Sequence, residues 1–480
     1  MEHFKLSLGL QYWRLYLMAV VLGIGGSFQY GIQVSVVAAP AVHVQTFVNY
    51  TWMWRYQTPV DESTKQLIWS FIVAVMSLGA WVGAINAGSL PVKYGRKKTM
   101  LFNSVVAVVA ALFMIFSRTA KSFEMILIGR LLFGYNAGLG LSVHLMYLGE
   151  SSPKKLRGFL TLTGSMFMAL GKMMGQIIGI KEMMGTDEMW PFLLAISGIP
   201  AILPLLTLFF FPESPRYLYI DKGDSDGAKK ALQWLWQEDD LKMELEDMQK
   251  ERQSTQGEKA KTVKDILTCR CVRWQLLTLV LTCSGNQFSG YNALYFYAFD
   301  IFSESGAPEE LRQYLTIGIG AMEFIAVMLC SFLIDRAGRK KLMGYGYLMM
   351  AVAMSLLTIM LCIKVPTSAA LTLIIKHETI PGVAFALPAD LFLQAWRPAA
   401  FVVSGTIGWL SMFLVGMCFS YVVNGMGQYC FLIFVIYCIV SGAFMIFLVP
   451  ETKGKTMLEI MEDFNKLNYK NRETELATKF

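Results

Sequence analysis

At 480 residues, 55% hydrophobic and 16% charged, with a mean hydropathy of +0.47, the chain is too apolar for a water-soluble domain and reads as a membrane protein. The formal charge of +7 does not point to nucleic acid, because the basic residues stand in short clusters between apolar runs and not on one polar face. The eight cysteines and four histidines show no metal-ligand spacing and no nucleophile with a neighbouring base, so no metal, cofactor, disulfide or enzyme activity is expected.

A hydrocarbon core about 30 Å thick needs about 20 apolar residues per helix. Hydropathy predicts an all-α membrane protein of twelve spans, at 15–37, 67–90, 100–116, 125–148, 159–180, 190–211, 276–302, 314–334, 342–363, 367–387, 399–422 and 429–449. The N-terminal MEHFKLSLGL has too short an apolar core for a cleaved signal peptide. Lys93, Arg96, Lys97 and Lys98, then Lys154, Lys155 and Arg157, then Arg336, Arg339, Lys340 and Lys341, and Arg397 all fall in loops on one side. By the positive-inside rule that side is cytoplasmic, with both termini. The loop at 38–66 is then external, and its Asn49-Tyr50-Thr51 is a glycosylation acceptor. Residues 212–271 read as a linker of amphipathic cytoplasmic helices, capped by Asp224 or Ser225. They separate an N-terminal bundle, 1–211, from a C-terminal one, 272–455, and a helical tail follows over 456–480.

The two bundles restate each other. Gly95 in VKYGRKK is matched by Gly338 in LIDRAGRKK, Glu150 and Arg157 by Asp390 and Arg397, and PESPR by PETKG, each about 240 residues on, the mark of a duplicated membrane unit. Basic residues alone are explained by topology, and Lys97 is read that way. Acids at the ends of spans are not, so Arg96, Glu150, Arg157, Arg339, Asp390 and Arg397 are expected to form a charge-assisted latch across the inner mouth. Arg130 is assigned to the same latch, from the cytoplasmic end of span four.

Polar residues inside spans mark where a solute binds. Gln29 and Gln33, Ser165 and Gln176, Asn286, Gln287, Ser289 and Asn292, and Glu323 are the candidates. Amides both donate and accept, which suits a polyhydroxy solute, although they also join helices. Gly285 and Gly290 permit a break in span seven, beside the aromatics Tyr295, Phe296 and Tyr297. A charge at a helix centre costs about 2.5–3.5 kcal/mol on insertion scales, so Lys172 and Glu323, from opposite halves, are candidates to pair across the cavity.

At these residues a resemblance becomes specific. GRLLFGYNAG, YLGESSPKKLRG, PESPRYL, DRAGRKK, RPAAF, VGMCF and VPETKGKT resemble, in order, the motifs of the facilitative hexose transporters, sugar porters of the major facilitator superfamily. Details lean to the fructose-related class II branch, and FEMILIGRLL and YLGESSPKKLRG are similar to its eleventh member. The resemblance implies two pseudo-symmetric six-helix bundles. It places sugar-binding amides on Gln287 and Asn292, with Asn286 standing for a glutamine. It adds Gln33, Ser165, Glu323 in place of an asparagine, Phe385 in place of a tryptophan, and Trp409. Glu213 and Arg216 in PESPR and Glu451 in PETKG join the cytoplasmic gate, and Tyr295, Phe296 and Tyr297 are read as the extracellular gate, with interfacial belt residues as the alternative. CSG at Cys283–Gly285 replaces the QLS of glucose carriers, and the tenth span is short and carries Lys376, His377 and Glu378. The implied activity is uniport of a hexose, fructose or glucose, by a multi-pass protein of the plasma membrane; a non-transporting sugar sensor and a proton-coupled symporter are the alternatives. Its partners are the sugar and the bilayer, not nucleic acid, and nothing in the sequence sets an oligomeric state.

Overall fold

The computed structural model describes residues 11–237, 241–255, 262–290, 292, 295, 302, 308–337, 339–363, 391–392, 396–451 and 457–469, and among them finds helix and turn and no strand. The first half comprises α1 (Trp13–Ser35), α2 (Ala41–Tyr56), α3 (Glu62–Asn86), α4 (Arg96–Thr119), α5 (Phe123–Ser151), α6 (Lys154–Ile178) and α7 (Trp190–Phe210). After α8 (Ser225–Trp236) and α9 (Lys242–Thr255) come α10 (Arg273–Phe288), α11 (Glu309–Ala337), α12 (Arg339–Ile363), α13 (Arg397–Met426), α14 (Phe431–Phe447) and α15 (Met457–Asn468). Each expected span holds one of these helices except the tenth, 367–387, which lies outside the described residues. Among the described residues seven helical segments are long and apolar enough to cross a membrane, and α14 is a shorter apolar helix.

Successive spans run antiparallel, so their ends form two faces. One gathers the Gly95–Arg96 turn, the C-termini of α5 and α7, and the linker; it is called the basic end below. The other gathers α2 and the start of α3, where Asp61 caps the helix by accepting from Thr64 N at 3.0 Å. Here Arg55 pairs with Glu124, and Arg118 with Asp187 at 3.1 Å.

The halves meet along two seams, α3 against α13 and α6 against α11. On the first, Trp81 Nε1 donates to Thr406 Oγ1 at 3.2 Å, and Tyr30 of α1 meets the Trp409 ring edge-on at 5.4 Å. On the second, Gly320 lets the helices close up, since a Cβ there would lie 2.1 Å from Gln176 Oε1.

The linker is seated on the first half. Asp224 is the cap of α8, accepting from Gly227 N at 2.8 Å. The apolar face of α8 is buried, Trp236 Nε1 donates to Ser151 O at 2.9 Å, and Arg14 Nη1 donates to Trp234 O at 3.1 Å. The expectation of no disulfide is corrected here. A tight turn at Arg270–Val272 brings the Cα atoms of Cys269 and Cys271 to 5.3 Å, and the two are bonded. Beyond it, Asn468 of α15 accepts from Trp274 N and donates to Cys271 O, tying the tail helix to the start of α10.

Candidate functional site

At the basic end the chain turns through Gly95 at φ +96°, a conformation that excludes side chains, and a Cβ there would meet Glu213 Oε2 at 2.3 Å. The turn exposes the first amides of α4, which lack helical partners. Glu213 Oε1 accepts from Arg96 N at 2.9 Å and Lys97 N at 3.0 Å, a carboxylate on the positive end of the helix dipole. The Arg96 guanidinium forks between Glu150 Oε1 and Asp221 Oδ2, both at 2.8 Å, and lies 4.7 Å from the Tyr217 ring. Ser214 Oγ donates to the other Glu150 oxygen. Gly95, Arg96, Glu150 and Glu213 are thus one buried network. Asp221, Ser214 and Tyr217 belong to it and were not singled out from the sequence, although they all lie within a few residues of PESPR.

Other gate residues fall elsewhere. Arg216 pairs with Glu244 of α9 at 3.1 Å, which joins it to the linker. Lys97 Nζ donates to Phe209 O and Phe211 O at 2.8 and 2.9 Å, closing carbonyls at the end of α7 and so doing more than marking topology. Glu451 is half-buried just past α14. Gly338 and Asp390 lie outside the described residues, as do the side chains of Arg157, Arg339 and Arg397.

Arg130 is a correction. It stands two turns from the start of α5, in the half of the helix away from Glu150, about 20 residues or about 30 Å along the axis. Its guanidinium is fully buried and donates to Ile72 O at 3.1 Å, Val73 O at 3.2 Å, Gln33 O at 3.0 Å and Gln33 Oε1 at 3.3 Å. Because α5 descends toward the basic end, an early position in it lies far from the latch. Gln33 Nε2 donates to Leu194 O and Ser197 Oγ, both at 3.1 Å, so its amide is bonded within the first half.

The expected pair across the halves is formed. Lys172 Nζ lies 2.9 Å from Glu323 Oε1, with both side chains buried, on the α6–α11 seam. Tyr295 donates its hydroxyl to Glu323 Oε2 and sets its ring 4.6 Å from the Lys172 ammonium. Tyr295, assigned from the sequence to an outer gate, therefore reaches the ion pair; Phe296, Tyr297 and Phe385 lie outside the described residues. A small cavity above the pair is lined by Ser35, Gln176, Tyr295, Gln313 and Thr316, among others. Gln176 Oε1 is buried there without a hydrogen-bond partner among the described residues. Elsewhere, Asn292 Oδ1 is also buried without a partner among the described residues, while Asn292 Nδ2 donates to Gln287 Oε1. Asn286 and Ser165 are half-buried, and Trp409 is nearly buried against Tyr30. Beyond the cavity the halves are pinned again. Gln313 Oε1 accepts from Lys181 N at 3.1 Å, and Tyr314 donates to Glu182 at 3.2 Å. Asn49 is exposed on α2, whereas Thr51 is buried and donates to Phe47 O.

The family described as Sugar (and other) transporter matches residues 18–464. The chain belongs to this sugar transporter family. Like the equine facilitated glucose transporter member 5, to which it is 39% identical over 95% of this chain and 92% of that one, this sugar transporter spans nearly the whole length of its relatives. It is 38% identical to the human facilitated glucose transporter member 11, over 96% of this chain and 95% of that one. Both relatives agree with the class II resemblance. The sugar transporter also shares its fold with the proton:xylose symporter XylE bound to 6-bromo-6-deoxy-D-glucose, at a TM-score of 0.77 and 22% identity, covering 94% and 98% of the two chains. The inward open XylE from E. coli superposes with a TM-score of 0.76 at 21% identity, covering 93% and 99%. The fold is that of the major facilitators, two six-helix bundles, and the family's work is transport and not catalysis.

Proposed function

We propose that this sugar transporter moves a hexose, fructose or glucose, down its gradient by alternating access. The observation that carries the reading is two buried amide oxygens without donors among the described residues, Gln176 Oε1 on the seam between the halves and Asn292 Oδ1 in the second half. An unsatisfied buried acceptor costs about 1–3 kcal/mol, and hydroxyl groups of a polyol satisfy it. The names of the relatives, facilitated glucose transporters, support the same class of solute. In this reading residues 1–211 and 272–455 rock about the site, the linker at 212–271, the 456–480 tail and both termini are cytoplasmic, the basic end is the inner mouth, and the protein resides in the plasma membrane. The Arg96 network closes the inner mouth, completed from the second half by Arg339, Asp390 and Arg397, with Arg157 beside it.

Uptake of radiolabelled fructose and glucose into proteoliposomes tests this. Expected is equilibrating flux and counterflow without an ion gradient. Hexose binding without flux would make the protein a sensor, accumulation only under a pH gradient would make it a symporter, and either would overturn uniport.

A further inference from the structure

We propose that Lys172 and Glu323 together set the charge class of the solute, each cancelling the other so that the cavity admits uncharged sugars and rejects charged ones. The inference rests on the hexose reading above. Three observations place the pair beside the cavity. Lys172 lies one helical turn from Gln176 on α6, Glu323 lies one turn from Gly320 on α11, and Gln176 and Gly320 touch across the seam. Tyr295 lines the cavity while holding both charges, its hydroxyl on Glu323 and its ring against Lys172. The pair is almost completely buried, so little water is at hand to screen either charge.

The electrostatics follow. Opposite charges 2.9 Å apart present a short dipole to a solute on the far side of Tyr295, and its field falls off faster than that of a single charge. Remove one partner and the other's charge is no longer offset by it, beside a cavity where the effective dielectric is well below that of water. The retained Lys172 ammonium then favours an anion, and the retained Glu323 carboxylate favours a cation. No chemistry of the sugar ring changes; only the sign of the favoured substituent does.

The test uses the full-length protein in detergent and three ligands of one ring: glucose, glucuronate and glucosamine. Affinities are read at neutral pH from ligand-induced thermal stabilisation, which needs no flux. In E323Q the preference for glucuronate over glucosamine should rise by at least about tenfold, and in K172M it should fall by at least about tenfold. The double variant K172M/E323Q and the swapped variant K172E/E323K should both return to the wild-type ratio. Should one single variant fail to fold, the other carries the test, because the two shifts are opposite in sign. Ratios in the single variants that stay within about twofold of wild type, or a double variant that keeps the single-variant ratio, overturn the proposal. Because the readout compares two charged ligands, it stands even if wild type binds no glucose, a result that would sink the hexose reading alone.

Discussion

Arg96 at the start of α4 and Glu150 at the end of α5 meet through a 2.8 Å charged hydrogen bond, with Asp221 taking the other arm of the same guanidinium. Two acids from different segments thus converge on one planar cation, a geometry that lysine cannot copy. Removing one partner of a buried pair costs about 3–5 kcal/mol because the other charge is stranded. Arg96→Ala should therefore lower the thermal midpoint markedly, Arg96→Lys less so. A double-mutant cycle of Arg96→Ala with Glu150→Ala should give a coupling of about 1–3 kcal/mol; additive effects would remove the pair from the latch.

Gly95 sets up that network. Gly95→Ala forces a side chain into a glycine-only conformation, at about 1–3 kcal/mol, and drives its Cβ onto Glu213. Gly149→Ala, where a Cβ meets nothing within 4 Å in the last turn of α5, should be neutral or stabilising by up to about 1 kcal/mol. Paired thermal scans separate the two, and equal losses would show that Gly95 has no special role.

Arg130 makes its bonds to carbonyl and amide oxygens of α1 and α3, with no carboxylate in salt-bridge reach among the described residues. Arg130→Met should destabilise the fold by about 1–3 kcal/mol, since the Gln33 side-chain oxygen loses a buried donor while the carbonyls of Ile72 and Val73 keep their helical ones. Its effect should add to that of Arg96→Ala, because the sites are far apart. Strong coupling between them would return Arg130 to the latch.

The pin beyond the cavity holds Gln313 against Lys181. Gln313→Ala should open that end, and Ser35→Cys, which lies on the cavity wall, should react faster with a membrane-impermeant maleimide added from that side. An unchanged labelling rate would mean that the pin does not gate.

Asn49 is the proposed glycan acceptor, and Asn49→Gln and Thr51→Ala should each abolish a glycosidase-sensitive mobility shift. Thr51 is buried in folded α2, so attachment must precede folding of that helix. A shift surviving both changes would place the glycan elsewhere.

What the sequence determined alone was whatever depends on local transfer from water: the spans among the described residues, the glycine turn at Gly95, the acid at the end of α5, and the need of Lys172 and Glu323 for each other. Hydropathy reports the cost of burying a residue without naming its neighbour, and with Arg130 assigned to the latch, Lys172 and Glu323 from opposite halves were left to offset each other. Tertiary structure decided the rest. Each residue turns a side chain by about 100° around its helix, and which neighbour it meets depends on how the helices are rotated and crossed. That is why Gln33 faces Leu194 and Ser197, why Arg216 reaches Glu244, and why Asp221 joins Arg96. It is also why Arg130, read as part of the basic latch, lies toward the other end of a helix whose direction sets the depth of everything on it.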